Sequence, residues 1–223
     1  QSSFHVETVY ASPDWLRIHD KTARAAKEII TTGSDAMTRI SSLVSPPEVL
    51  AVARIPDYSP DITLLRKNCV LLLDGIRDPG NMGAIIRIAE WFGISDIICS
   101  PDCAEIWNPK VVQASMGSVL RVRAHEKNLP EFLRSAIKKG SPPVYGAYLE
   151  GKSIYKTTFP QNCWLVIGNE SSGISRELED FITEKITIPP FLQVGNRPES
   201  LNAAIATAII CAEIRRSSLK ISD

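Results

Sequence analysis

The sequence predicts an α/β protein built on a mostly parallel sheet with helices on both faces, preceded by a small α/β domain. Three observations carry that expectation. From Asn68 onward, short apolar runs alternate with helical patterns, the order from which parallel sheets are made. Runs such as Val70-Leu71-Leu72-Leu73 are apolar at every position, as a strand buried between two helical layers must be. The texture also changes across Pro56-Asp57-Tyr58-Ser59-Pro60-Asp61, a turn-rich stretch. Two domains are therefore expected, at residues 1–66 and 67–223.

In the first domain, Val6–Tyr10 reads as a strand, Asp20–Ile30 as a helical pattern, 34–43 as a polar–apolar stretch and Val49–Ile55 as a second strand. In the second, the expected strands are Cys69–Asp74, Asp96–Ser100, Val119–Ala124, Val144–Leu149, Cys163–Ile167 and Lys185–Ile188. The expected helices between and after them are Met82–Phe92, Pro109–Ser115, Pro130–Lys139, Ser175–Ile182 and Ser200–Arg216. No internal repeat or low-complexity tract interrupts this order.

Composition narrows the function classes. With 44% hydrophobic and 22% charged residues the 223-residue chain is an ordinary folded protein rather than a disordered one. Its formal net charge is zero, so any nucleic-acid binding must come from a local patch rather than a basic bulk. Five cysteines, Cys69, Cys99, Cys103, Cys163 and Cys211, lie mostly in apolar runs without paired spacings. That odd count suits buried thiols in a reducing cytoplasm better than a disulfide framework. Cys99 and Cys103 have no His beside them, so no metal site is expected. No apolar stretch reaches membrane-spanning length and no secretory leader is read, so no membrane partner is expected.

In open α/β sheets ligands bind beyond the carboxyl ends of the strands. Three polar, glycine-bearing segments follow expected strands. The first runs from Asp74 to Arg87, with a Pro79-Gly80 turn and a helix expected to begin near Asn81. Asn81 serves either as an N-cap or as a site residue. Arg87, flanked by Ile85, Ile86, Ile88 and Ala89, is either a surface residue or a rigid fork of donors for phosphate. The helix start near Asn81 adds a place for anions.

The second segment is Gly168-Asn169-Glu170-Ser171-Ser172-Gly173-Ile174. Its glycines permit close backbone approach. It superficially resembles a phosphate-binding P-loop, but Ile174 stands where the lysine would be required, which excludes that reading. Glu170 is either a solvated loop carboxylate or an acceptor at a pocket mouth. The third segment leads from Ile188-Pro189-Pro190 to Ser200-Leu201-Asn202. Ser200 reads as the cap of the last helix. Asn202 is a poor helix former, which makes a purely structural role less natural. Alanines at 203, 204, 206, 208 and 212 make that helix slim, as a tight subunit interface or a closely threaded chain requires.

Together the three segments resemble the signature of the SpoU (TrmH-like) branch of the SPOUT methyltransferases. Asn81, Gly83 and Arg87 match its first motif, Gly168, Glu170 and Gly173 its second, and Ser200, Leu201 and Asn202 its third. Each motif alone is weak; their order, each after a strand, is specific, and the resemblance covers roughly residues 68–216. It implies a carboxyl-terminal trefoil knot, a rare topology, and a homodimer. It implies S-adenosylmethionine as cofactor, held by Tyr148, Leu149, Gly168, Asn169, Ile188 and Leu201. The substrate implied is structured RNA, ribosomal or transfer, methylated at a ribose 2′-hydroxyl. The first domain resembles the family's small L30e-like RNA-binding domain without its opening strand and helix, from which a longer natural chain is expected. Two departures stand out: Phe191–Glu199 is a longer connection than usual, and alanines follow Ser200-Leu201-Asn202 where β-branched residues are common.

The resemblance also implies site roles. Arginine is effectively never deprotonated in proteins, so Arg87 is expected to clamp RNA phosphate and stabilise the developing alkoxide rather than act as a base. Asn81 and Glu170 would orient Arg87 or the ribose, and Ser200 and Asn202 would complete the pocket. Two rival classes make different demands on the sequence. A Rossmann-type oxidoreductase needs G-x-G-x-x-G after its first strand, and only Gly80-Asn81-Met82-Gly83 is present. A non-catalytic RNA-binding or ribosome-associated protein retaining the fold would be free to lose Asn81, Arg87, Glu170, Ser200 and Asn202, all of which are present.

Overall fold

A computed structural model describes residues 4–191 and 200–218, so the expected long connection at 192–199 lies outside the described residues. The chain divides into two compact units, 1–57 and 58–223.

In the first unit the elements are β1 (His5–Ala11), α1 (Pro13–Ala23), β2 (Glu28–Thr31), α2 (Ser34–Ile40) and β3 (Val49–Arg54). The sheet order is β2-β1-β3, with β1 parallel to β2 and antiparallel to β3. The helix expected over Asp20–Ile30 starts and ends earlier. Ser12 accepts from the Trp15 amide at 3.2 Å and Pro13 occupies the first turn, which nucleates α1 upstream. In Glu28-Ile29-Ile30-Thr31 the last three residues are β-branched, and the segment pairs with Thr8–Ala11 instead.

The second unit comprises α3 (Ile62–Leu65), β4 (Val70–Asp74), α4 (Pro79–Trp91), β5 (Asp96–Cys99), α5 (Pro109–Ala114), β6 (Arg123–Glu126), α6 (Leu129–Lys138), β7 (Val144–Ser153), β8 (Trp164–Gly168), α7 (Arg176–Glu179), β9 (Glu184–Thr187) and α8 (Ala203–Ser218). The expected boundary at residue 66 moves to 57 because α3 packs with this unit. Leu65 is buried with Val70 and Trp164, and its carbonyl accepts from the Trp164 indole at 3.3 Å.

All six strands of the second sheet are parallel, in the order β6-β5-β4-β8-β7-β9. The uninterrupted apolar runs have the expected cause. Leu71 and Leu73 pack with Ile97, Leu165, Ile167 and the α4 and α8 residues Ile85, Ile86, Ile210 and Ile214. Val70 and Leu72 point the other way, into a second core with Trp164, Val166 and the α6 residues Phe132 and Leu133. Each fully buried leucine contributes about 1.5–3 kcal/mol relative to exposure. Cys69, Cys99, Cys163 and Cys211 are buried and Cys103 partly so. Among the described residues, no helix is long and apolar enough to cross a membrane.

Two further elements depart from expectation. The strand expected over Val119–Ala124 begins only at Arg123, after a single 3-10 turn at Ser118–Leu120. Arg123 is fixed there by a two-pronged ion pair with Asp96, Nε to Oδ1 at 2.8 Å and Nη2 to Oδ2 at 2.6 Å. The helix expected over Ser175–Ile182 is a single turn, Arg176–Glu179. Phe181 and Ile182 leave it to pack on the second core, and Thr183 exchanges hydrogen bonds with Val144.

Candidate active site

The direction of chain progression reverses between β4 and β8: from β4 the chain runs outward to β5 and β6, then returns on the other side through β7 and β8. A crevice outside the carboxyl ends is expected at such a switch point. The first two motif segments leave the sheet there, after Asp74 and after Gly168, two residues that pair across β4 and β8.

Asn81 is not the helix cap that its position suggests. Asp78 takes that role, accepting from the Asn81 amide at 2.7 Å with Pro79 in the first turn, so α4 begins three residues earlier than the expected Met82. The Asn81 side chain, half-buried, is released to link the other two motifs. Its Nδ2 donates to Glu170 Oε1 at 2.5 Å, and its Oδ1 accepts from Asn202 Nδ2 at 2.8 Å. Asn202 Oδ1 in turn accepts from the amides of Ala204 at 2.9 Å and Ile205 at 3.2 Å. Asn202 rather than Ser200 therefore caps α8; Ser200 is exposed two residues ahead of it.

The relay has one direction. A carboxylate only accepts and backbone amides only donate, so both carboxamides must be oriented with their NH2 groups toward Glu170. Donation runs from the α8 amino terminus through Asn202 and Asn81 to Glu170. Such chains polarise one another, and the positive end of the helix favours the anion at their far end. Each NH2 group retains a second N–H, and Glu170 a second oxygen, with which a ligand at this exposed edge can bond.

Two motif glycines are required by close contacts. A Cβ on Gly83 would lie 2.5 Å from the Ala114 Cβ and 2.7 Å from the Val111 carbonyl, so glycine lets α4 lie against α5. A Cβ on Gly168 would lie 2.3 Å from the Gly173 carbonyl carbon, so glycine closes the loop carrying Glu170.

Arg87 stands outside the relay. It lies six residues beyond Asn81, about 9 Å along the helix and roughly 240° around it. It is exposed. The expectation that Asn81 or Glu170 orients Arg87 is not met by any hydrogen bond in this structure. The residues expected at the cofactor are grouped at the same carboxyl edge. Tyr148 and Leu149 lie where β7 leaves β9: Ile186 pairs with both Ala147 and Lys152, and the four intervening residues are looped out. Leu149 is 69% exposed and Leu201 48%, while Ile188 packs on the first core. The Leu149 carbonyl already accepts from the Thr187 hydroxyl at 3.0 Å, and the Asn169 side chain is turned inward, to the Gly75 carbonyl at 2.7 Å.

The Tyr148 hydroxyl is a buried polar atom without a hydrogen-bond partner. Burial pushes it above the ordinary tyrosine range, with the carboxylates of Glu179 and Asp74 adding to the effect. Among the described residues no group of three or more His, Cys, Asp or Glu side chains is placed to hold a metal ion. The positions that spacing alone did not single out are Asp78, Asp74, which accepts from the Ser175 amide at 2.7 Å, and Ser100, which accepts from the Gly75 amide at 2.9 Å. For Asp78 a signal was present, since Asp before Pro is a helix-start pattern.

A sequence profile of the SpoU rRNA methylase family matches residues 68–212. The chain is similar to the 23S rRNA (guanosine(2553)-2′-O)-methyltransferase RlmP of Bacillus subtilis, 30% identical over 183 residues, which are 81% of this chain and 70% of that protein. A TrmH-family protein of known structure from Porphyromonas gingivalis superposes with a TM-score of 0.84 at 38% identity, over 96% of this chain and 84% of that one. The SpoU methyltransferase AviRb of Streptomyces viridochromogenes, solved in complex with AdoMet, superposes with a TM-score of 0.82 at 26% identity, over 98% and 85% respectively.

Proposed function

The chain belongs to the SpoU rRNA methylase family, and on that premise we propose how it acts: as an S-adenosylmethionine-dependent 2′-O-ribose methyltransferase of RNA whose relay Asn202–Asn81–Glu170 receives the ribose. The observation that carries this reading is the relay itself. Three motifs from three separate parts of the chain meet through two direct hydrogen bonds at the switch point. A chain that had kept the fold and lost the reaction would still need Asn202 as the α8 cap, but not the bond between Asn81 and Glu170, which caps no helix.

The residues present fit the cofactor. An exposed apolar pair, Leu149 and Leu201, offers faces for a flat ring, and the unpartnered Tyr148 hydroxyl offers a polar group. Backbone at Tyr148, Gly168, Ile188 and Leu201 would hold the remaining polar edges. S-adenosylmethionine, when bound, supplies an electrophilic methyl group on a sulfonium centre. The protein's own task is then mainly positioning. Glu170, held by Asn81 through one oxygen, has its second oxygen to accept the hydrogen of the ribose 2′-hydroxyl. The second N–H groups of Asn81 and Asn202 orient the sugar oxygens. Arg87, outside the relay and exposed, is placed to take an RNA phosphate and to stabilise the alkoxide as the proton leaves. Ser200, exposed two residues ahead of Asn202, would complete the same site.

The finer features implied by the family belong to this proposal. The active form is a homodimer. Ile205, Ala208, Ile209 and Ala212 form an i, i+3, i+4, i+7 stripe along α8, with Ile205 53% exposed and Trp91 of α4 84% exposed. A slim apolar stripe of this kind suits a second copy of the same surface; a monomer mass by light scattering would remove it. The carboxyl-terminal segment threads as a trefoil knot, as the family resemblance implies, with β9 at the sheet edge and α8 packed in the core with α4; an experimental chain trace that is open from both ends would remove it. The first unit selects structured RNA, ribosomal or transfer, in the cytoplasm.

The test is to map 2′-O-methyl positions in total RNA with and without the gene, and to measure S-adenosylmethionine binding by calorimetry. One or more ribose methylations should disappear with the gene, and the cofactor should bind. An unchanged methylation map together with no binding would refute the function.

A further inference from the structure

The backbone of Gly75, just past β4, is held on both sides by residues that follow the neighbouring strands β5 and β8. Its amide donates to Ser100 Oγ on the β5 side at 2.9 Å, and its carbonyl accepts from Asn169 Nδ2 on the β8 side at 2.7 Å. Asn169 also shapes the loop behind it. Its Oδ1 accepts from the Ser171 amide at 2.9 Å, the Ser171 hydroxyl at 2.8 Å, the Ser172 amide at 3.2 Å and the Ser172 hydroxyl at 3.3 Å. Its backbone exchanges two hydrogen bonds with Gly173, at 3.0 and 2.9 Å. Glu170 is the next residue in the chain, and its carboxylate meets Asn81 at 2.5 Å.

From this geometry we propose that Asn169 is a positioning residue for methyl transfer: its side chain ties the Glu170 loop to the β4 loop and so sets the Glu170 carboxylate against Asn81. The proposal rests on the methyltransferase reading. It also gives a side-chain role to Asn169, a residue that the family resemblance places among those holding the cofactor. The carboxamide is engaged inward at both ends, its Nδ2 with the Gly75 carbonyl and its Oδ1 with Ser171 and Ser172.

The chemistry of the site explains why the residue is Asn. One end must donate to a carbonyl and the other must accept from two backbone amides, which only a carboxamide does. Asp retains the accepting end but places an oxygen against the Gly75 carbonyl. Gln reaches one methylene too far for the same loop. Ala removes both ends. Because the group that Asn169 positions is Glu170, the two residues must act as a unit, and the effects of losing them must fail to add.

The experiment uses the full chain as wild type, Asn169→Asp, Asn169→Ala, Glu170→Ala and the double variant Asn169→Ala/Glu170→Ala. The probe is ribosomal and transfer RNA isolated from a strain lacking the gene, with labelled S-adenosylmethionine. Both single substitutions at 169 should lower kcat by about 100-fold, the effect of a misplacement of around 1 Å. S-adenosylmethionine affinity by calorimetry should change little, and the double variant should be no slower than Glu170→Ala alone. Multiplying penalties in the double variant would overturn the proposal. So would a rise in the cofactor Kd with kcat at saturation preserved, which would make Asn169 a cofactor contact. Should Asn169→Ala fail to fold, the isosteric Asn169→Asp carries the same cycle. Wild-type protein that transfers no methyl to any of this RNA would instead count against the methyltransferase reading, leaving the two failures distinguishable.

Discussion

The two edges of the parallel sheet are both polar, and they use polarity in opposite ways. At the amino edge, Asp96 and His125 are buried, and nearly every hydrogen-bonding position there is filled from within the chain. Asp96 takes two bonds from Arg123 and one from His125 Nε2 at 3.0 Å, while His125 Nδ1 meets the Tyr58 carbonyl at 3.2 Å. At the carboxyl edge Asn81, Glu170 and Asn202 keep bonding capacity after joining one another. A saturated network stabilises; an exposed, partly used one binds. Polar residues at the two ends of one sheet therefore answer to different measurements.

The largest effect is expected at the closed edge. Burial pushes the Asp96 carboxyl up, but the hydrogen bonds from His125 and Arg123 outweigh it and hold the group below its ordinary value of 3.8. Breaking a buried pair from one side costs about 3–5 kcal/mol, so Asp96→Asn should lose stability on that scale in urea denaturation. Activity per folded molecule should be unchanged. A carboxyl lowered on folding contributes stability that is fully present above its unfolded value and lost as pH falls through the folded one. The stability gap between wild type and Asp96→Asn should therefore be constant near neutral pH and shrink below about pH 4. A gap that persisted in acid would break the comparison.

Arg87→Ala tests the open edge, with the opposite signature. Turnover should fall by about 100-fold, roughly 2.7 kcal/mol, while stability moves by no more than about 0.5 kcal/mol, as for an exposed site. If Arg87 holds a phosphate, the slope of RNA affinity against salt should also drop by about 1. Near-normal turnover would remove Arg87 from the site.

Asn202 belongs to both categories and sharpens the distinction by a smaller amount. Asn202→Ala removes the α8 cap and should cost about 1 kcal/mol of stability as well as activity. Asn202→Asp keeps a capping oxygen for Ala204 and Ile205 but has no NH2 group for Asn81. It should be close to wild type in stability and impaired in turnover. Equal activity in the two proteins would mean that the relay does not matter.

How much could be read beforehand differs between the fold and the site. The run Val70–Leu73 announced a strand covered on both faces, because a side chain alternates faces whatever its neighbours are. The helix expected from Ser175 to Ile182 shrank to one turn because Phe181 and Ile182 are drawn to a core that exists only once β7 is in place. The motif residues Asn81, Glu170 and Asn202 were nameable from their spacing after strands. That Asn202, not Ser200, caps the last helix was not, since both residue types cap well and the choice depends on where α8 is held.

What the order of residues determined by itself was the periodicity, the strand and helix sequence, and the presence of three polar segments at strand ends, all of which depend on interactions between near neighbours. Only tertiary structure decided that these segments meet, in which direction the two carboxamides donate, and that Arg87 stands apart from them. Those outcomes depend on hydrogen bonds between residues 89 and 121 positions apart. Such bonds form only after a sheet whose strand order is not its chain order has brought their loops together.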